Sequence, residues 1–262
     1  MGCCNSKGAG DSSAGRVARW RSTGIVALRD SKLRALPSEI LAVESFVRTL
    51  DLTNNRINEV TPEISRLVNM QRLVLANNLI EQLPTTIGVL RHLKVIILDG
   101  NHLTNLPEEL GFLSRLEKLS ITGNSLVCLP ETIGNLRNLV LLNVSSNKLK
   151  CLPDSIGGCI SLEELQANAN VIEELPSSVC SLVHLKLLSL NNNLIQQLPQ
   201  DLLKSCKALQ NVSLHENPIS MEQFQEMEGF QEFEARRKKK FDKQIDSNVM
   251  MSSTGLDEGL DK

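Results

Sequence analysis

Short bursts of alternating leucine and polar residues, each followed by an asparagine and then a Leu-Pro pair, recur along most of this 262-residue chain. Asn55, Asn78, Asn101, Asn124, Asn147, Asn170 and Asn193 are spaced by 23 residues, and Asn217 follows after 24. Ahead of them stand pairs such as Leu50 and Leu52, Leu73 and Leu75, Leu119 and Ile121, and Leu188 and Leu190. Alternation over so few residues is the mark of a short strand with one buried face. Pro84, Pro107, Pro130, Pro153, Pro176 and Pro199 keep the period, Pro37 belongs to a degenerate first copy, and Pro62 is displaced by one residue. A fixed period of this length implies stacked copies, because one copy cannot bury its apolar face alone. The stack is expected to be an α/β solenoid with a parallel sheet on its concave side. The asparagine amide, both donor and acceptor, is expected to satisfy turn backbone in its own coil and the next. Ser31 holds that position in the first copy and can do only part of the task.

The frame LxxLxLxxNxIxxLPxxIxxL resembles that of leucine-rich repeats, and the 23-residue version carrying Leu-Pro resembles the intracellular Ras-group type. The resemblance covers residues 25–219. It implies a horseshoe, and a signalling scaffold that touches a small-GTPase or phosphatase pathway. A repeat frame is scaffold, however, and says little about what is bound.

Composition supports thin layers. The chain has 44 Leu, six Phe, one Trp and no Tyr, whereas an ordinary core of this size uses aromatic bulk. A solenoid exposes apolar core at both ends, so caps are required. Residues 16–23 carry the only tryptophan, Trp20, and residues 221–242 read as one or two helices broken near Gly229, with Phe224, Met227, Phe230, Phe233 and Phe241 for packing. The expected organisation is a flexible acylation segment at 1–15 and a cap with the degenerate repeat at 16–46. Repeats follow at 47–219, a helical C-terminal cap at 220–245 and a disordered tail at 246–262. The expected state is a monomer.

Met1-Gly2-Cys3-Cys4-Asn5-Ser6 fits the pattern in which Gly2 is myristoylated after methionine removal. One myristoyl chain holds a membrane only marginally, and Cys3 and Cys4 offer S-palmitoylation as the second anchor. The alternative is an unmodified start with coincidental cysteines. A second candidate is the run Arg236, Arg237, Lys238, Lys239 and Lys240, preceded by Glu222, Glu226, Glu228, Glu232 and Glu234. It reads as an anionic-lipid patch, a nuclear signal, or a capping helix whose charges complement its dipole. Stacked coils at about 4.8 Å put the two ends roughly 40 Å apart, so lipid and basic run share one bilayer only if the solenoid lies along it.

The third candidate is the concave face. Its central position reads Asp51, Val74, Ile97, Ser120, Asn143, Gln166, Ser189 and Ser213, with Thr49, Arg72, Val95, Lys118, Leu141, Glu164, Leu187 and Asn211 beside it. Arg72, Val74, Val95, Ile97, Asp99 and Lys118 form the expected partner-binding patch, with Val74, Val95 and Ile97 as a modest apolar anchor. The bland alternative is that Val and Ile merely suit a strand.

No catalytic, metal or cofactor site is expected. His92, His102, His184 and His215 are dispersed by the repeat, and no phosphate-binding glycine motif stands in the right context. The seven cysteines lack zinc spacing and are expected to be free thiols, Cys159 and Cys206 as buried fillers where other coils place Leu. Residues 25–215 hold 17 basic and 18 acidic residues, which offers no stripe for nucleic acid. No run of 18 apolar residues or secretory signal is present. The expectation is therefore a non-enzymatic adaptor on the cytoplasmic face of a membrane, the plasma membrane foremost, and cytosolic when not S-acylated. The competing expectation is a soluble regulatory subunit or inhibitor that covers an enzyme with its concave face.

Overall fold

In the computed structural model, residues 13–239 are described. Nine three-residue strands succeed one another: β1 (Ile25–Ala27), β2 (Thr49–Asp51), β3 (Arg72–Val74), β4 (Val95–Ile97), β5 (Lys118–Ser120), β6 (Leu141–Asn143), β7 (Glu164–Gln166), β8 (Leu187–Ser189) and β9 (Asn211–Ser213). They form one open parallel sheet in chain order, and every pairing is shifted by one repeat, as in Leu73↔Ile96 and Ile96↔Leu119. The middle residue of each strand from β1 to β8 is fully buried, from Val26 to Leu188. Burying a Leu or Ile contributes about 1.5–3 kcal/mol relative to exposure, and the coils repeat that gain layer by layer.

The convex side is made of single 3₁₀ turns rather than α-helices: Pro62–Arg66, Thr85–Val89, Glu108–Phe112, Glu131–Asn135, Asp154–Gly158 and Ser177–Ser181, after a first one at Ser38–Val43. Only the last coil replaces its turn with a short helix, α2 (Leu202–Ser205). The Leu-Pro prolines from Pro37 to Pro176 hold an extended conformation just ahead of a turn, as Pro84 does at φ −70° and ψ 146°. In the coil of Pro62, Thr61 takes that extended place and the proline becomes the first residue of the turn, a position its fixed φ also suits. This accounts for the one-residue displacement. Glycine in these turns lets coils approach closely, since a Cβ on Gly134 would sit 2.2 Å from the Ser155 carbonyl oxygen.

The asparagine column lies buried, but its reach differs from expectation. Asn124 donates through Nδ2 to the carbonyls of Ile121 and Thr122 in its own turn and to Leu98 of the preceding coil. Its Oδ1 accepts from Leu103 N–H of that same preceding coil at 3.0 Å. The amide therefore serves its own coil and the one before it, not the one after. Two facts about the ends follow. Ser31 can stand in the first copy because Asn55 supplies that coil, accepting from Ser31 N–H and Leu33 N–H and donating to Leu28. Asn217 is needed after the last full repeat because it accepts from Ile195 N–H and donates to Leu190.

Helices close both ends. α1 (Ser13–Thr23) buries Trp20, and the chain turns into β1 at Gly24, whose φ is +70°. At the other end Ser220 and Gln223 form a reciprocal capping box on α3 (Met221–Gln225). Gly229, at φ +86°, separates it from α4 (230–239). Phe224 packs edge-on against Phe230 and Phe233, with ring centroids 5.6 and 5.8 Å away.

Two substitutions probe this stack. Asn124→Ala leaves the buried Leu103 N–H without a partner, at about 1–3 kcal/mol, while the Leu98, Ile121 and Thr122 carbonyls keep Asn101, Asn147 and the Gly100 N–H. Denaturant unfolding should show the loss in the midpoint. Ala169 occupies the residue just before a ladder asparagine at φ +53°, where other coils place Asn77, Gly100 and Gly123. Ala169→Gly should raise stability by about 1 kcal/mol, because the left-handed region costs a Cβ-bearing residue roughly 1–2 kcal/mol.

Candidate functional site

Strand register assembles the concave face in three columns. The first residues of the strands form one column and the third residues another, and two positions further on runs a third made of Arg29, Thr53, Asp99, Thr122, Ser145, Asn168 and Asn191. Within the first column Arg72, Val95 and Lys118 stand side by side on β3, β4 and β5, and Ile97 lies next to them on β4. Arg72 is exposed, and Val95, Ile97, Asp99 and Lys118 are half-buried. Val74 is only 7% exposed, so it cannot contribute to an accessible patch. The apolar anchor thus shrinks to Val95 and Ile97, flanked by two cations.

Much of the polar face is occupied in holding coils together. Asp99 accepts from the Ser120 hydroxyl at 2.7 Å and from Thr122 N–H at 2.8 Å. Further along, Oδ1 of Asn168 and of Asn191 accepts from the N–H groups of Asn191 and His215, respectively, in successive coils. Asn143 donates to Gln166 at 3.0 Å. Asp99 is therefore fixed to its own sheet, and Arg72 and Lys118 carry the face's local positive charge.

A cluster at the N-terminal edge was not singled out from the sequence. Arg29 Nε donates to Asp51 Oδ2 at 2.7 Å, and the Thr53 hydroxyl donates to Asp51 Oδ1 at 2.6 Å. Burial alone would raise the Asp51 carboxyl, but hydrogen bonds from Arg29 and Thr53 and the Arg29 charge outweigh it and hold it below the ordinary carboxylate value. The signal was available: Arg29 sits two residues beyond β1, the place Thr53 fills beyond β2. The degenerate repeat around it obscured the column.

The C-terminal basic run divides. Arg236 donates to the Leu209 and Leu203 carbonyls, both at 3.1 Å, and so caps the last coil instead of facing a ligand. Arg237 pairs with Glu234 at 3.0 Å, one turn earlier on α4. Lys238 and Lys239 are exposed. Lys240, the tail and the acylation positions Gly2, Cys3 and Cys4 lie outside the described residues. Burial pushes the Cys159 and Cys206 thiols up to about 12, in keeping with fillers, whereas Cys128 and Cys151 are exposed. Among the described residues no group of three or more His, Cys, Asp or Glu could hold a metal, and no helix is long and apolar enough to cross a membrane.

Residues 45–103 match the family described as leucine rich repeat, and residues 81–170 the one described as leucine-rich repeat region. Plant intracellular Ras-group-related LRR protein 7 of Oryza sativa subsp. japonica is 78% identical over 261 residues, covering 100% of this chain and 99% of its own. Among solved structures, YopM, a leucine-rich effector protein from Yersinia pestis, is 25% identical with a TM-score of 0.64. That match covers 78% of this chain and 64% of that one. A TDR receptor is 27% identical, also with a TM-score of 0.64, over 70% of this chain and 33% of its own.

The Asp51 cluster has a pH signature. Its folded-state value is depressed below 3.8, so its contribution is complete above the ordinary value and is lost as pH falls through the lower, folded one. Protection of the Leu28 and Thr53 amides against hydrogen exchange, taken relative to the intrinsic rate at each pH, should therefore fall on acidification below about that ordinary value. In Asp51→Asn this pH dependence should vanish.

Proposed function

The chain belongs to the plant intracellular Ras-group-related leucine-rich-repeat proteins, and from this we propose that it is a protein-binding adaptor held at a cytosolic membrane leaflet by N-terminal acylation. The concave sheet receives the partner. The observation that carries this reading is the juxtaposition of Val95 and Ile97, half-buried and apolar, with Arg72 and Lys118 on one rigid sheet. Such a patch suits a partner surface with an apolar projection ringed by acids. The nine strands carry no Tyr, Trp or Phe, the residues that most often anchor tight interfaces. A modest intrinsic affinity fits a tethered protein, because confinement to a membrane raises the effective concentration of both partners.

Myristoylation of Gly2, with S-acylation of Cys3 or Cys4 as the second signal, supplies the tether. The plasma membrane is the proposed location, and a small-GTPase or phosphatase pathway the proposed setting. A scaffold role requires no turnover, and none is proposed.

Proximity labelling with the N-terminus left free, combined with fractionation, tests both halves. Gly2→Ala should move the protein from membrane to soluble fractions. Ile97→Asp should stay on the membrane and lose its labelled partner at least tenfold, while Glu131→Lys on a convex turn retains it. Wild type and Gly2→Ala both fully soluble would defeat the tether and favour a soluble regulatory subunit. Equal partner labelling by Ile97→Asp and Glu131→Lys would defeat the concave site.

A further inference from the structure

Charge is sorted around the solenoid in a way that the concave face does not use. Consider the flank where the chain turns into β1 to β6, residues 21–24, 45–48, 68–71, 91–94, 114–117 and 137–140. It presents Arg21, Arg48, Arg91, Lys94, Arg115 and Arg137, all exposed. Its acid, Glu117, is paired with Lys94 at 2.8 Å. The convex turns beside it carry the opposite sign, with Glu63, Glu108, Glu109, Glu131 and Asp154. The same flank also exposes apolar side chains, Phe46, Val68 and Val140 among them.

At its N-terminal end this flank is hollowed into a groove of about 600 Å³, where Arg21, Arg48 and His92 meet Ser45, Asn69 and Gln71 without a carboxylate. Arg21 stacks over the Phe46 ring at 5.6 Å. Further along, Arg91 is held over the Phe112 ring at 5.2 Å and donates to the Phe112 carbonyl at 3.0 Å. These guanidiniums are thus presented from fixed positions.

We propose that this flank is a docking surface for an anionic phospholipid bilayer, against which the solenoid lies on its side. The inference rests on and deepens the membrane reading above, because it sets the orientation that acylation alone leaves free. Four observations point to a bilayer. The basic residues lie in five coils of a six-coil span, about 25 Å at 4.8 Å per coil, which suits an extended charged plane. Exposed apolar side chains are interleaved with them, as at a headgroup boundary. The twelve residues ahead of α1 can span up to about 40 Å, more than the roughly 16 Å length of α1, a length of chain sufficient for Gly2 to meet the same plane. Finally, a solenoid lying on this flank leaves the concave sheet open to a protein in the cytosol. Each basic residue near an anionic surface adds to binding, and the attraction fades within a Debye length of about 8–10 Å.

The full chain made without acylation, sedimented with phosphatidylcholine vesicles with or without phosphatidylserine, tests the flank separately from the tether. Binding is expected only with phosphatidylserine and should weaken as salt is raised. Reversing Arg48, Arg115 and Arg137 to Glu together should lower the partition at least tenfold. The same three-charge reversal on the opposite flank, at Arg56, Lys148 and Lys150, should change it by no more than about twofold. Thermal unfolding of both variants verifies that they fold. Undiminished binding by the first variant, or equal loss in the two, overturns the proposal. So does displacement by excess soluble glycerophosphoserine, which would mean a discrete anion pocket rather than a surface. If the unacylated chain binds as expected while Gly2→Ala leaves cellular membrane association untouched, the tether fails and the flank stands.

Discussion

A parallel stack of short strands can close its hydrogen bonds only if the turn that ends each strand is satisfied from within. Here one buried amide per coil does this. Because that amide reaches back to the preceding coil, each coil completes the one before it, and the construction has a direction. The first copy can carry serine, while the last full repeat depends on Asn217 beyond it. A stability argument for this protein is therefore one of nearest neighbours along a line.

The same thinness sets where bulk can go. The layers are filled mainly by Leu, Ile and Val, and the large buried rings close the ends, with Trp20 in α1 and Phe224 and Phe233 at the other cap. The C-terminal lid also recruits Arg236, whose guanidinium holds the Leu203 and Leu209 carbonyls of the last coil. A residue that looks like one of five equivalent cations is thereby structural, because a part-buried carbonyl left without a donor is costly.

A rigid scaffold of this kind separates its surfaces by chemistry. The concave sheet offers a small apolar centre between two cations, the convex turns are acidic, and the flank leading into the strands is basic. These are independent surfaces on one body. A membrane-bound orientation and a protein-bound partner can thus coexist without competing for residues.

The repeat period, the parallel sheet, both caps and the break at Gly229 were legible in the sequence, because each follows from spacing or from local backbone chemistry. So was the register of the concave columns, since a sheet shifted by one whole repeat inherits its order from the chain. What the sequence left open depended on the direction of side chains between coils. It could not show that the asparagines reach backward, that Val74 is buried within the concave face, or that Arg236 turns inward to cap carbonyls. Nor could it show that Arg21 and Arg48, distant in the chain, meet beside Phe46. Spacing along a repeat determines which residues lie in one column, whereas burial, hydrogen-bond partners and the sharing of a surface arise only when neighbouring coils are packed in three dimensions.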